Sequence, residues 1–351
     1  MVAKKYLFYV SQNYSYAILR PIQEQIWRRN GEVKWFLHGD INPDYLHDNE
    51  QRLMTIDDVV AYQADATLLP GNVVPSFIPG LKVAVFHGFN AGKLNRRGQV
   101  DHFQIRNCFD LYCTQGPNTT EPFKQLEAQH GHFKVIETGW SALDPLFTDA
   151  ATSGIKEHSR PTILMCSTFS RNLTCAPHLY DTVKHLSQDS KWQWLIQFHP
   201  KMSQDIVDSY KGLENDNLSF IETDNVLPLL KQADVMVCDT SSVLLMFALQ
   251  GKPVVTFNNI APKDYMINIS EPELLVGAIE QALNPSPTLR ANIERFIADT
   301  HPYQDGQSSS RVLDAIDDML AGKYPLAAKP KNWLRQIKMR RKLGYWKFFR
   351  S

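Results

Sequence analysis

The chain has 351 residues, roughly twice the length of a common single domain, so two lobes of about 150 residues are expected and a short peptide factor is excluded. Apolar residues make up 43% and charged residues 21%, which excludes the disordered, collagenous and coiled-coil classes. The net charge is zero, yet residues 323–351 hold ten Lys or Arg and no Asp or Glu, leaving 27 basic against 37 acidic residues in the body.

Short apolar runs bounded by turn residues recur with helical patterns between them, the mark of parallel sheets flanked by helices. The first series predicts strands at 6–10, 33–37, 66–69, 83–86, 111–114 and 134–137, with the clearest early helix at 17–29. The stretch 148–161 is small, polar and aperiodic, which places a linker at 149–161. A second series follows, with strands at 162–167, 192–198, 218–221, 235–238 and 254–257. Helices are expected at 178–186, 203–210, 226–232 and 242–249, then at 272–283, 289–298 and 309–320. The class is α/β, with one domain at 1–148, a second at 162–322 and a basic tail at 323–351. Two open sheets in tandem would gather the C-terminal ends of their strands around one crevice, the usual ligand position.

Five cysteines (Cys108, Cys113, Cys166, Cys175, Cys238) form an odd set without a CxxC pair, which argues for reduced cytosolic thiols against a disulfide framework or a zinc site. The N-terminal apolar run is too short for a signal-peptide core, and nowhere do about 18 apolar residues run together. Neither export by that route nor a membrane span is expected.

The residues suited to chemistry fall just after predicted strands. His87-Gly88 closes the 83–86 run and His199-Pro200-Lys201 closes the 192–198 run; an imidazole titrates near neutrality and suits a proton acceptor, although either histidine also fits a plain strand-end turn. Asp239-Thr240-Ser241-Ser242 ends a strand and opens an apolar helix, where free N–H groups and hydroxyls suit phosphate oxygens or, equally, ordinary capping. Asp305-Gly306 followed by Ser308-Ser309-Ser310-Arg311 repeats the pattern, with an arginine able to fork two phosphate oxygens or to lie on the surface.

The series His87-Gly88, Thr138-Gly139-Trp140 ahead of Asp144, His199-Pro200, Asp239-Thr240-Ser241-Ser242 with Phe247 and Lys252-Pro253, and Asp305-Gly306 ahead of Arg311 resembles the CDP-glycerol glycerophosphotransferases of teichoic acid type. The resemblance runs from about residue 80 to 320. It implies the GT-B arrangement of two facing Rossmann-like domains with an interdomain cleft. It also implies transfer of glycerol phosphate, or a related polyol phosphate, from a CDP-linked donor to a hydroxyl of a cell-surface glycan or glycolipid precursor, releasing CMP. Carried over, His87 and His199 become the catalytic pair, with His87 as base. Gly88, Lys201, Asp239, Thr240, Ser241, Ser242, Ser309, Ser310 and Arg311 would meet the donor phosphates, and Thr138, Gly139 and Asp305 would line the cleft. After His87-Gly88 the family's Thr-Pro is replaced by Phe89-Asn90. No Walker-type loop or paired-carboxylate metal motif is present, so no obligatory cofactor or metal is expected.

A GT-B glycosyltransferase using a nucleotide sugar is the alternative; many of these carry a glutamate in the helix after the phosphate turn, and residues 243–249 contain none. A third possibility is a non-catalytic lectin-like or scaffold protein in which His87 and His199 are dispensable. The tail mixes cations with Trp333, Trp346, Phe348 and Phe349, a composition suited to an anionic membrane face. Nucleic acid is not expected beside an acidic body, and a solvated helix packed on the body is the plain alternative. A peripheral position on the cytoplasmic face of the membrane would suit a lipid-linked or lipopolysaccharide acceptor.

Overall fold

The computed structural model describes residues 3–89, 101–148, 160–223 and 225–347. The expected linker lies outside these except for Arg160 and Pro161. The chain divides into two units, one formed by Met1–Asp144 with Thr300–Ser351 and the other by Pro145–Asp299.

In chain order the first unit runs β1 (Lys5–Val10), α1 (Ser15–Arg28), β2 (Glu32–Leu37), β3 (Arg52–Leu53), α2 (Ile56–Tyr62), β4 (Ala66–Leu69), β5 (Leu81–Ala84), β6 (Leu111–Thr114), α3 (Pro117–His130) and β7 (Lys134–Glu137). Its seven strands lie in the order β3-β2-β1-β4-β5-β6-β7, and every pairing is parallel. Tyr6 to Val10 are all buried, as expected of a strand covered by helices on both faces. Phe8 stands beside Trp35 and Leu68 in register. α1 turns Ile18, Leu19, Ile22 and Ile26 into the core, a three- and four-residue spacing that lines one helical face.

The second unit runs β8 (Thr162–Ser167), α4 (Ala176–Leu186), β9 (Gln193–Phe198), α5 (Gln204–Lys211), β10 (Leu218–Phe220), α6 (Leu227–Gln232), β11 (Val235–Cys238), α7 (Val243–Ala248), β12 (Val254–Phe257), β13 (Met266–Ile269), α8 (Leu275–Leu283) and α9 (Pro287–Thr300). Its strand order is β10-β9-β8-β11-β12-β13. Order reverses between β1 and β4 in the first sheet and between β8 and β11 in the second, which leaves a crevice at the carboxyl ends in each.

The last helices, α10 (Ser308–Leu320) and α11 (Trp333–Leu343), correct the expected boundary at 322, because residues from Thr300 onward pack with the first unit. α10 buries Val312, Leu313 and Ile316. Arg29, just after α1, meets Asp314 at 2.8 Å and donates to the carbonyl and Oγ of Ser310 at 3.1 and 2.7 Å. Periodicity gives such a helix its apolar stripe without naming the surface that covers it. Strand β5 also ends earlier than expected: Phe86 sits at φ 55°, a left-handed turn that ends extended pairing.

One buried polar network ties α1 to the loop before β3. Glu50 has no exposed side-chain surface; it accepts Arg20 Nε at 2.9 Å and Nη2 at 3.0 Å, Gln23 Nε2 at 2.9 Å and the His47 amide at 2.9 Å. Gln23 in turn accepts Trp35 Nε1 at 2.7 Å. Burial pushes the Glu50 carboxyl up, but the hydrogen bonds outweigh it and hold the group below the usual range. Glu50→Ala leaves the Arg20 guanidinium without its partner, so urea unfolding is expected to show a loss of about 3 kcal/mol.

Candidate functional site

In the first unit, three loops meet above the reversal between β1 and β4. His87 follows β5, Pro70 follows β4 and Tyr14 follows β1. His87 Nδ1 lies 3.1 Å from the Pro70 carbonyl oxygen. A carbonyl can only accept, so Nδ1 carries a proton, and Nε2 is the nitrogen that bears the lone pair whenever the ring is neutral. The exposed Tyr14 ring stacks on the imidazole at 5.4 Å. Behind this turn, buried Gln115 donates Nε2 to the Gly88 carbonyl at 2.9 Å, so Gly88 meets a side chain through its backbone.

In the second unit, the loops after β8, β9, β11 and β12 converge at the reversal between β8 and β11. His199 Nδ1 accepts the Lys201 amide at 3.0 Å, which requires a bare Nδ1 and puts the proton on Nε2. Burial, then the Lys201 charge, lowers its pKa, which keeps this neutral form. His87 and His199 are therefore fixed by their backbone partners in opposite tautomers: the first offers an acceptor at Nε2, the second a donor.

Asp239 is fully buried. Its Oδ2 accepts Ser167 Oγ at 2.7 Å, the Thr168 amide at 2.9 Å and the Cys175 amide at 3.1 Å, and its carbonyl accepts Asn259 Nδ2 at 2.9 Å. This corrects its expected place on the donor phosphates, since the carboxylate is spent on holding the 168–174 loop. Ser241 and Ser242 follow it at the surface of the unit, and Ser242 makes no capping bond to α7. Capping thus does not consume that hydroxyl. Thr240 Oγ1 accepts the Ile260 amide at 3.3 Å. Lys252 of the Lys-Pro motif sends its ammonium to the carbonyls of Leu230, Lys231 and Ala233 at 2.9, 2.6 and 2.8 Å, closing the C-terminal end of α6.

The expected third cluster belongs to the first unit and is occupied from within. The Asp144 carboxylate accepts the Ser308 and Ser309 amides at 2.9 and 2.7 Å, so the N-terminus of α10 holds a side chain of the chain itself. Ser309 is buried and Ser310 is bonded to Arg29, which corrects both as phosphate contacts. Arg311 pairs with Asp305 through both guanidinium nitrogens and lies 4.3 Å from the Tyr303 ring centre; Asp305 and Arg311 satisfy each other. Thr138 is buried and donates Oγ1 to the Gly139 carbonyl at 2.9 Å. Gly139 has φ 77°, and a Cβ there would lie 2.4 Å from Ser308 Oγ, so this glycine serves packing beneath α10. Thr138 and Gly139 are structural here.

Sequence reading missed Tyr14, Pro70, Gln115, Phe169 and Asn259. An aromatic residue in the segment that follows the first strand of each unit was the available signal for Tyr14 and Phe169. The backbone acceptor at Pro70 left none. Among the described residues no three His, Cys, Asp or Glu side chains are grouped to hold a metal ion, and all five cysteines are free and buried.

Asp239→Asn would set an amide donor among three donors. The expected result is a loss of about 1–3 kcal/mol in urea unfolding, with faster hydrogen exchange at the Thr168 and Cys175 amides. Unchanged exchange with weakened nucleotide binding alone would instead mark Asp239 as a ligand contact.

The profile of the family described as CDP-Glycerol:Poly(glycerophosphate) glycerophosphotransferase matches residues 109–318. A teichoic acid poly(ribitol-phosphate) polymerase of Bacillus spizizenii is 26% identical over 209 residues, 52% of this chain and 33% of that protein, so the chain spans about a third of that relative's length. A structure of the wall teichoic acid polymerase TagF aligns with TM-score 0.64 at 14% identity, over 91% of this chain and 90% of that one. Another TagF structure, soaked with CDPG, aligns with TM-score 0.63 at 16% identity, over 91% and 89%. A UDP-N-acetylglucosamine 2-epimerase aligns with TM-score 0.59 at 11% identity, over 95% and 100%. Identities this low establish a shared fold of two parallel-sheet α/β domains. With its profile match spanning more than half of the residues, the chain belongs to the CDP-glycerol:poly(glycerophosphate) glycerophosphotransferase family.

Proposed function

We propose that the chain moves glycerol phosphate, or a related polyol phosphate, from a CDP-linked donor to a hydroxyl of a cell-surface glycan or glycolipid precursor. The observation that carries this reading is the pair of histidines whose backbone partners select opposite ring nitrogens in a chain of this family. The acceptor O–H gives its proton to His87 Nε2 while its oxygen bonds to the outer phosphorus of the donor. The bond from that phosphorus to the bridging oxygen breaks, and CMP leaves with the electron pair. His199 Nε2–H, Lys201 and the hydroxyls of Ser241 and Ser242 would donate to the phosphate oxygens as charge shifts onto the leaving group. Arg311, paired with Asp305, has no part in this scheme.

The test offers the full chain CDP-glycerol, CDP-ribitol and several UDP-sugars with a membrane glycolipid extract and follows nucleotide release. CMP release from a CDP-alcohol is expected, falling on the order of 10²- to 10⁴-fold in His87→Ala. UDP release from a sugar donor would move the assignment to a glycosyltransferase, and undiminished CMP release in His87→Ala would remove His87 as base.

We further propose that the tail holds the chain on the cytoplasmic face of an anionic membrane, where a lipid-linked acceptor is presented. α11 docks one face: Arg340 lies 4.6 Å from the Phe77 ring centre, Gln336 accepts the Ser76 amide at 3.3 Å and Tyr345 stacks on Phe77 at 4.6 Å. The other face is open, with Trp333 66%, Leu334 76% and Ile337 49% exposed among Lys338 and Arg341. Aromatic and aliphatic groups rimmed by cations favour an anionic interface. Cosedimentation with phosphatidylglycerol vesicles, absent with phosphatidylcholine, is expected. Lys338→Glu with Arg341→Glu should abolish it, each cation near the surface contributing about 1 kcal/mol; equal binding to both vesicles, or to neither, would overturn the reading.

A further inference from the structure

We propose that Phe169 is a positioning residue that holds the His199 imidazole and the Lys201 side chain in the geometry that presents both to an anionic ligand. Phe169 stands on the loop after β8, its ring centre 4.6 Å from that of His199. Lys201 Nζ lies 5.7 Å from the same ring centre. A large aromatic side chain 42% exposed on a loop makes little use of its burial, and His199 and Lys201 of the β9 turn both lie against its ring.

The loop that carries it is fixed at both ends. Thr168 and Cys175 give their amides to the buried Asp239 carboxylate, and Ser167 Oγ lies 2.7 Å from Thr174 Oγ1. The backbone that carries the Phe169 ring is therefore anchored at the carboxyl end of the sheet. The backbone bond from Lys201 to Nδ1 selects which nitrogen bears the proton only while the ring stays in line with that amide, and by itself it leaves the ring free to tilt out of the contact. Phe169 removes that freedom, so that Nε2–H keeps one direction, while its π-face attracts the Lys201 ammonium. A neutral ring beside His199 also limits its hydration, in keeping with the lowered pKa that burial and Lys201 produce.

This inference rests on the donor reading only for the identity of the anion. Two measurements on Phe169→Ala and Phe169→Tyr test it in the full chain. The first is the pair of His199 ring nitrogen shifts, assigned by comparison with His199→Asn, at a pH above the histidine range. In the unaltered chain one bare and one protonated nitrogen are expected. In Phe169→Ala the two shifts should converge as the tautomers mix, and Phe169→Tyr should restore them. The second is CDP affinity, expected to fall about tenfold in Phe169→Ala, the scale of one lost oriented contact, and to recover in Phe169→Tyr.

Unchanged nitrogen shifts in Phe169→Ala overturn the proposal, and if CDP affinity still falls, Phe169 touches the nucleotide itself. Equal losses in the alanine and tyrosine variants also overturn it. If CDP does not bind the unaltered chain, the donor reading fails, and the nitrogen shifts alone decide for or against Phe169.

Discussion

A carboxylate removed from water must take its hydrogen bonds from the protein, and the site of the second unit is built around one that does. Asp239, with no exposed surface, draws Ser167, Thr168 and Cys175 onto a single oxygen. Its backbone carbonyl receives the Asn259 side chain. Loops leaving three different strands are thereby tied to one point. An unpaired buried charge would cost far more than these bonds return individually, so the loops have a strong reason to stay together. Ser241, Ser242 and the Phe169 ring inherit their places from that requirement.

The two units solve a common problem in the same way. Each leaves a histidine at the carboxyl end of a parallel strand, fixes its tautomer with a backbone group and sets an aromatic ring from the loop after the unit's first strand against it. Tyr14 faces His87 and Phe169 faces His199. The backbone partner differs, and that difference decides the chemistry. A carbonyl at Pro70 makes Nδ1 the protonated atom of His87, whereas an amide at Lys201 makes it the bare atom of His199. In the neutral rings one imidazole thus offers an acceptor and the other a donor, each set by a backbone group.

The fold was largely legible in the sequence, because a strand buried on both faces is a run of apolar residues whatever its neighbours. Strands such as Ala66–Leu69, Leu111–Thr114 and Val235–Cys238 fall where the apolar runs place them. Partner choice was not legible. The stripe of α10 fits either unit by pattern; its buried Val312, Leu313 and Ile316 and the ion pairs from Arg29 to Asp314 and from Lys4 to Asp317 join it to residues from the start of the chain, too distant in sequence for periodicity to reveal. Short β3 and the capped helix α2 escaped because two and seven residues carry too little periodicity. Of the candidate site, His87, His199, Lys201 and the Ser241–Ser242 pair stand at strand ends as expected. Asp239, Ser309 and Thr138 are buried, and Ser310 and Asp305 are paired with Arg29 and Arg311; the sequence carries no sign of this, because a hydroxyl or carboxylate beside a helix start reads alike whether its partner is a ligand or the chain.

That ambiguity is sharpest where charge is concerned, and the tail shows how structure divides a composition that sequence can only sum. Its ten cations offset an acidic body, yet they are not equivalent. Lys329 pairs with Asp110 at 2.6 Å and Lys347 with Asp57 at 2.9 Å, Arg335 donates to the Arg106 carbonyl, and Arg340 covers Phe77. These attach α11 to the first unit. Lys338 and Arg341 stand on the opposite face, beside Leu334 and Ile337, because residues three, four and seven apart share one side of a helix. Lys329 and Lys347 are offset by carboxylates, while Arg335 and Arg340 keep their charge but are held against the body by a carbonyl and a ring. The outward pair is the one placed to meet an anionic surface directly, and the apolar residues between those cations would be covered only on contact with that surface.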